Sequence, residues 1–546
     1  MIESGMARPW LDSDRGDQIF LFPVDSRDLL PKNHLVWGVM KVVDEFDLSQ
    51  FEAVYHAGGV GRPPYSPRLM VALIVYCYLK GLRSERQIAA ACYDDIGCRV
   101  ITGNRYPDHS VVKKFFIRHE PALQRLLIDT LRIGHAEGLI DLSVIAGDGT
   151  YMQADAAMNA TVTETRLREQ IADLQQQMAR AQAGWADLVT AAEATDPATD
   201  GLEAATDGGD LPAGCLDLGS GVGPVGGPVR PGLGVRGSAE DELWRRYRVL
   251  ETKVASRRVA LEHLQANPGA AWTEWSDRVE KDQTRVVAAT RRWQAAVTAQ
   301  QAVVAEYARA QAAGVRSSGR PPVPVGDHSG IAAARQGLDK AVARAAATAG
   351  KEPTVGRVNT TAPSSGIMPC KRGGFDQNYN VQVAACPGQF ILAIGTHPSS
   401  NDKRALEPFV RDTRANLDAA GIADPIGVAL YDCGYASDAN FTAELPVGLL
   451  LVAVEKECRQ TGRRTDDTTT AAKSWDLMAT HLAEPANAAL YKRRGAIVEP
   501  VFAQMFDRFG RDVNSRGATQ VETELHVCAI SHNIGKIIRS RVKKHV

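Results

Sequence analysis

Three carboxylates in this chain stand where an acid is out of place unless it has work to do. Asp148 closes the apolar run Leu142-Ser143-Val144-Ile145-Ala146-Gly147 and is followed by Gly149. Asp432 closes Ile426-Gly427-Val428-Ala429-Leu430-Tyr431 and is followed closely by Gly434. Glu499 interrupts the apolar stretch Ala496-Ile497-Val498-Glu499-Pro500-Val501-Phe502, a setting that suggests a partner such as a cation. Two strand-end aspartates and a helix glutamate are what a two-metal site needs. Mg²⁺ takes oxygen ligands and keeps several waters, so few protein ligands suffice. A pair of ions about 3.5–4 Å apart can activate an attacking oxygen and stabilise a leaving one at phosphorus. The competing reading is that Asp-Gly after a strand is only a turn.

The surrounding elements decide between these readings. Leu142 to Thr150 reads as a strand whose exit carries Asp148. From residue 370 the pattern is strand-like again: Tyr379 to Ala384, a turn at Cys386-Pro387-Gly388, then Phe390 to Ile394, together a hairpin. Lys403 to Ala420 reads as a helix, Ile426 to Tyr431 and Leu449 to Val454 as buried strands, and helical pattern returns from Ala471. Strand–Asp, hairpin, helix, strand–Asp, strand, helix–Glu is the chain order of an α/β RNase H-like core, a mixed sheet flanked by helices. Here it is interrupted after its first strand.

Residues 1–140 read as an N-terminal helical region, a candidate DNA-binding domain. Leu69 to Leu79 is an apolar helix behind Pro63-Pro64 and Pro67. A second helix starts near Ser84, and Asp108-His109-Ser110 precedes a third over Val111 to His119. That outline fits a helix-turn-helix, though pattern alone favours an ordinary helical bundle. The first core strand occupies 141–159. Residues 160–350 read as a coiled-coil insertion. Leu167, Ile171, Leu174 and Met178 form one seam, and Leu243, Tyr247, Leu250, Val254, Leu261 and Leu264 another. A Gly/Pro/Asp-rich linker, about 196–237, separates them. It can let them fold back as an antiparallel pair, or they can pair between chains. Residues 351–546 hold the rest of the core and a basic tail.

Composition removes other classes. The 546 residues are 44% hydrophobic and 23% charged, so one large core is within reach and wholesale disorder is not. Lys+Arg is 63 against Asp+Glu 64, which excludes a polybasic protein but not a local basic patch. Nine cysteines with no C-x-x-C pair fit a reducing cytoplasm and argue against a disulfide framework. No secretory signal is visible, and the longest apolar run is too short to span a bilayer.

Several segments together resemble one family. Pro107-Asp108-His109-Ser110 with Lys114-Phe115 resembles the close of an N-terminal transposase domain. Asp148-Gly149-Thr150 with Ala154-Asp155-Ala156 resembles a first-Asp motif, and Gly374-Phe375-Asp376-Gln377-Asn378-Tyr379-Asn380-Val381-Gln382 a second-strand motif. Asp432-x-Gly434-Tyr435, the pair Tyr491-Lys492-Arg493-Arg494 and Val498-Glu499-Pro500-Val501-Phe502, and His532-Asn533 complete the order. The chain resembles a bacterial insertion-sequence DDE transposase of the IS-five-like class, its IS-eleven-eighty-two branch. Phe506 stands where the signature carries a lysine, with Arg508 and Arg511 the nearest cations. Thr361 to Ser365 replaces a commonly acidic stretch.

The resemblance implies a catalytic triad of Asp148, Asp432 and Glu499 holding two Mg²⁺ (or Mn²⁺) ions. Tyr491 and Arg494 would contact DNA phosphate or orient Glu499, and Asn380 and Gln382 would lie on the strand beside the metals. Lys492, Arg493, Arg508 and Arg511 would join them at DNA phosphates. The tail cluster Lys536, Arg539, Arg541, Lys543 and Lys544, and a looser group of Arg62, Arg68, Lys80, Arg83 and Arg86, are either phosphate contacts or solvated faces. The expected activity is DNA cleavage at insertion-sequence ends and strand transfer, by a homodimer or higher oligomer in the bacterial cytoplasm, nucleoid-associated, with no membrane partner. The alternatives are an RNase H-like nuclease without strand transfer, or a catalytically decayed DNA-binding or coiled-coil assembly protein.

Overall fold

The computed structural model describes residues 29–55, 64–195, 239–266, 270–314, 320–351, 356–370, 373–454 and 470–544. The expected linker, about 196–237, lies outside them, as does Arg62. The chain divides into two compact units, one within Met1–Asp155, Asp277–Ala349 and Ser365–Val546, the other within Ala156–Ser276 and Gly350–Ser364.

The first unit begins with seven helices among the described residues: α1 (Leu35–Val43), α2 (Ser49–Glu52), α3 (Pro67–Leu79), α4 (Glu85–Asp94), α5 (Ile96–Thr102), α6 (His109–Arg118) and α7 (Glu120–Ala136). Every side chain of α3 from Met70 to Tyr78 is buried, which explains its apolar surface on all sides. Ser84 opens α4 through a capping box: its hydroxyl accepts from the Gln87 amide at 3.2 Å, and Gln87 Oε1 accepts in return. Asp95 then caps α5, accepting from Cys98 N at 2.9 Å, so the connection expected between two helices is itself a helix. Gly103, at φ 61°, ends α5 in the left-handed conformation that glycine tolerates best. Asp108 caps α6 through Ser110 N at 2.8 Å, so that helix starts earlier than Val111.

Next come β1 (Val144–Gln153), β2 (Thr161–Thr163), α8 (Glu164–Thr195), α9 (Ala239–Ala266), α10 (Ala270–Ala312), α11 (Ser329–Ala349) and β3 (Arg357–Asn359). In the second unit β2 pairs antiparallel with β3. There α8 and α9 run antiparallel within one chain. Leu167, near the start of α8, packs with Ala260 near the end of α9 and with Val358, flanked by Ile171, Leu261 and Leu264. At the other end Gln182 donates to the Tyr247 hydroxyl at 3.4 Å. Around Leu167 and Ala260 the two apolar stripes thus cover each other.

The remaining elements are β4 (Gly366–Pro369), β5 (Phe375–Cys386), β6 (Phe390–His397), α12 (Leu406–Ala419), β7 (Ile426–Tyr431), α13 (Asp438–Thr442), β8 (Val447–Val452), α14 (Thr470–Ala483), α15 (Pro485–Tyr491), α16 (Arg494–Phe509) and α17 (Ala518–Lys544). They build a six-stranded mixed sheet with β1 at its centre. β1 pairs antiparallel with β5 from Ala146↔Ala385 to Gln153↔Asn378, and parallel with β7 from Val144↔Val428 to Ala146↔Leu430. β8 extends the parallel side, and β5 and β6 form the expected hairpin. β5 is buried from Gln377 to Cys386, the mark of a strand covered on both faces. α17 fastens one edge: Asn533 accepts from Ile391 N at 2.9 Å and donates to Ile391 O at 2.8 Å. No helix among the described residues is long and apolar enough to cross a membrane.

Candidate active site

Parallel pairing of β1 and β7 stops at Ala146↔Leu430, while β1 continues beside β5. Two residues beyond that last pair the neighbouring strands carry Asp148 and Asp432. Asp432 continues β7 in extended backbone and caps the turn Cys433–Tyr435, accepting from Gly434 N at 2.8 Å. Burial, and then the charge of Asp432, push the Asp148 carboxyl up to about 6, against the pull of Arg494. The sequence puts Asp148 at a strand exit, but β1 runs on to Gln153 because β5 pairs with it that far, so Asp148 lies mid-strand and only Asp432 stands at a strand end; the two acids are still neighbours in space.

Glu499 approaches this pair through a third residue. Arg494 opens α16, with Nη1 3.3 Å from Asp148 Oδ2 and Nη2 3.9 Å from Glu499 Oε1. Glu499 itself is turned outward, its side chain 67% exposed. Among the described residues no three His, Cys, Asp or Glu side chains stand close enough to hold a metal ion together. Burial works against the Arg494 charge, but Asp148, Tyr491 and Asp432 outweigh it and hold the guanidinium above its ordinary pKa. Tyr491 donates to Tyr431 O at 3.0 Å, pinning the end of α15 to the strand that delivers Asp432. Burial pushes its hydroxyl up to about 12.

Asn380 and Gln382 do lie on the strand beside Asp148, but on its other face. Gln382 is opposite Gly149, whereas Asp148 is opposite Val383, and side chains alternate along a strand. Their amides converge on a residue that sequence reasoning missed, Asp402. Asn380 Nδ2 lies 2.8 Å and Gln382 Nε2 3.0 Å from Asp402 Oδ1. Tyr435 donates to Gln382 Oε1, closing the network. A Cβ on Gly149 would fall 2.8 Å from Asp402 Oδ1, and one on Gly434 3.4 Å from its Oδ2. Both glycines of the strand-end motifs thus leave room for this acid. Burial raises the Asp402 pKa, the two amides lower it, and Asp432 raises it further. The signal was Asn401-Asp402 just after an apolar strand, but without the following glycine.

The cations sort less evenly. Lys492 and Arg493 are exposed and make no ion pair among the described residues. Arg511 is exposed, its guanidinium 3.8 Å from the centre of the Phe506 ring, which stacks on Phe502. Arg508 lies over the Phe509 ring, and burial followed by the Arg539 charge lowers its pKa. The basic tail is largely engaged: Arg541 pairs with Glu45 and Glu137, Lys544 with Glu137, and Lys536 donates to Gln389. Arg68 pairs with Asp44, Lys80 with Asp95, and Arg83 with Asp512 and Glu524. Arg86 is exposed. His532 bonds Gln389 O at 2.8 Å beside Asn533, both parts of the scaffold.

A mixed sheet whose antiparallel hairpin and parallel strands flank a central strand, with one acid on that strand and another at the end of its parallel neighbour, is an RNase H-like core. Two family models match the chain: a transposase domain (DUF772) over residues 24–118, and a transposase DDE domain over residues 361–534. The protein is a bacterial insertion-sequence transposase of the DDE type, an enzyme that cleaves and transposes DNA with metal-dependent chemistry. Asp432 and Glu499 lie inside the second match, and Asp148 lies outside both. No curated protein and no solved structure matches the chain.

Proposed function

We propose that Asp148, Asp432 and Glu499 are the catalytic carboxylates. They would hold two Mg²⁺ or Mn²⁺ ions for hydrolysis at the transposon end and attack of the freed 3′-OH on target DNA. The approach of Asp148 to Asp432, with Arg494 reaching from Asp148 to Glu499, carries this reading. Asp148, whose ionisation burial and the neighbouring Asp432 charge oppose, suits a bound cation, and the donor atoms of both acids are the hard oxygens Mg²⁺ takes. When bound, the ions would neutralise charge at phosphorus and activate the attacking oxygen.

The chain's own residues prepare for that chemistry. Tyr491 fixes α15 against Tyr431. The Asn380–Gln382–Asp402 network holds β5 and the Gly434 turn in place behind the two aspartates. Arg494 is a cation that can pass from carboxylate to phosphate as DNA enters. Lys492, Arg493 and Arg511 offer exposed charge to the backbone. The chain would sit in the IS-eleven-eighty-two branch and act on nucleoid DNA in the bacterial cytoplasm. It would work as a homodimer or higher oligomer, because two ends must be joined, and residues 160–350, including an α8–α9 coiled-coil hairpin, would serve that assembly.

Asp148→Ala, Asp432→Ala and Glu499→Ala should each abolish Mg²⁺-dependent cleavage of end-bearing DNA while end binding persists. A variant that cleaves normally removes its residue from the site. Cleavage by the wild type without joining to target DNA would reduce the enzyme to a nuclease.

A further inference from the structure

Asp402 is a half-buried carboxylate that the catalytic triad leaves without a task, and its two oxygens stand differently. Oδ1 takes both neighbouring amides, Asn380 Nδ2 at 2.8 Å and Gln382 Nε2 at 3.0 Å. Among the described residues no hydrogen bond goes to Oδ2, and no cation pairs with the carboxylate. The adjoining Lys403 reaches instead towards Glu280 of α10, with Nζ 3.7 Å from Oε1. An amide carbonyl in the place of Oδ1 would accept from both donors without half-burying a charge. The second oxygen therefore needs a reason of its own.

The surroundings of Asp402 are tied together and lead to Asp432. The buried Asn440 donates from Nδ2 to Lys403 O and to Tyr435 O, each at 2.7 Å. One side chain thus joins the turn that carries Asp402 to the turn that carries Gly434. The Tyr151 hydroxyl donates to Ser400 O at 2.7 Å and holds the approach to Asp402 against β1. Between the two turns lies a small space. A Cβ at position 434 would fall 2.9 Å from Asp432 Oδ1 and 3.4 Å from Asp402 Oδ2. Glycine leaves that space open, and an oxygen of each acid borders it. A water molecule is no larger than the carbon that glycine lacks. Mg²⁺ held by few protein ligands keeps several waters, and acceptors around such a site orient what the ion carries.

We propose that Asp402 is a positioning residue of the metal site: through Oδ2 it accepts a hydrogen bond from water hydrating the ion that Asp432 holds, and so fixes where that ion sits. This rests on the reading of Asp148, Asp432 and Glu499 as the metal-binding carboxylates. It deepens that reading with an acid that acts through water and touches neither ion nor DNA.

The test uses the full chain and calorimetric titration of Mn²⁺, alone and on duplexes cut from the DNA bordering the coding sequence. Asp402→Asn keeps an oxygen for the two amides but sets an NH₂ where Oδ2 stood, so the water loses its acceptor while the fold keeps its anchor. The variant should unfold in urea close to the wild type and bind Mn²⁺ about tenfold to a hundredfold more weakly. Its cleavage at limiting Mg²⁺ should fall with KM for DNA unchanged, and excess Mg²⁺ should restore it. Gly434→Ala fills the space itself and should also weaken Mn²⁺ binding. Adding Asp402→Asn to it should weaken binding little further, because the water is already displaced. Wild-type Mn²⁺ affinity in folded Asp402→Asn would make Asp402 scaffold only and overturn the proposal, as would fully additive losses in the double variant. Should Asp402→Asn fail to fold, wild-type affinity in Gly434→Ala overturns it alone. Asp432→Ala separates the two levels. If it binds Mn²⁺ as the wild type does, or if the wild type takes up none, the carboxylate reading itself fails. Binding lost in Asp432→Ala but kept in Asp402→Asn sinks only the role of Asp402.

Discussion

Arg494 meets Asp148 at 3.3 Å while Asp432 presses on the same carboxyl with like charge. Asp148 therefore sits between a cation and an anion, mostly out of water, and its proton is held to about pH 6 by burial first and Asp432 second. The unfolded chain releases that proton near pH 4. Between the two values the folded state binds the extra proton. This group's contribution to stability is thus full below about pH 4 and is lost as pH rises through about 6.

Asp148→Asn removes that loss. The variant should be more stable than the metal-free wild type at pH 8, by up to about 3 kcal/mol, and indistinguishable from it near pH 4. Urea unfolding at the two pH values measures it. Equal stability at pH 8 would show that Asp148 is better solvated than its surroundings imply.

Removing the cation should do the reverse. Arg494→Ala leaves Asp148 facing Asp432 without compensation, and should cost the metal-free protein about 2 kcal/mol at pH 8. Mg²⁺ should recover most of that loss, because a divalent ion answers the same pair of charges. Unfolding curves with and without Mg²⁺ decide it. A loss that Mg²⁺ leaves untouched would mean that Arg494 holds α16 in place and nothing more.

Asp402 separates charge from hydrogen bonding. Asp402→Ala strands the buried amides of Asn380 and Gln382 and should cost about 2–4 kcal/mol. Asp402→Asn keeps an acceptor and removes a charge that Asp432 opposes, so its stability should stay within about 1 kcal/mol of the wild type. If both variants fall equally in urea unfolding, the charge itself is what the network needs.

Five of the six strands of the sheet were legible because each advertised itself, whereas the short edge strand β4, Gly366–Pro369, carries no such pattern. Ile426 to Tyr431 is a closed apolar run, and Cys386-Pro387-Gly388 punctuates the hairpin. The acids at Asp148 and Asp432 were legible because an apolar run closed by Asp near Gly is a local pattern, although β1 itself runs five residues past Asp148. Asp402 was not, because its partners are 22 and 20 residues away and amide-to-carboxylate contacts leave no spacing rule. The face on which Asn380 and Gln382 lie depends on the register with β1, which one strand's sequence does not fix. The basic tail was ambiguous in sequence for a related reason. Lys and Arg at the end of a helix look alike whether they meet water, DNA or, as for Arg541, two distant glutamates.

That distinction gives opposite expectations for two basic clusters. Lys492 and Arg493 are exposed and unpaired among the described residues, next to the α16 that carries Glu499. Replacing both with alanine should weaken binding to every duplex alike and flatten the salt dependence by up to about 0.9 for each phosphate that loses its cation. Folding stability should barely move, since neither side chain holds the fold together. Arg541 bridges Glu45 and Glu137, and its partly exposed pairs are worth only about 1 kcal/mol. Arg541→Ala should therefore lower stability by about that amount and leave the salt slope of DNA binding where it was. Anisotropy titrations over a range of salt, run beside urea unfolding, read both quantities on each variant. A flattened slope in Arg541→Ala would return the tail to the DNA surface, and an unchanged slope in the Lys492–Arg493 variant would leave that cluster as a solvated face.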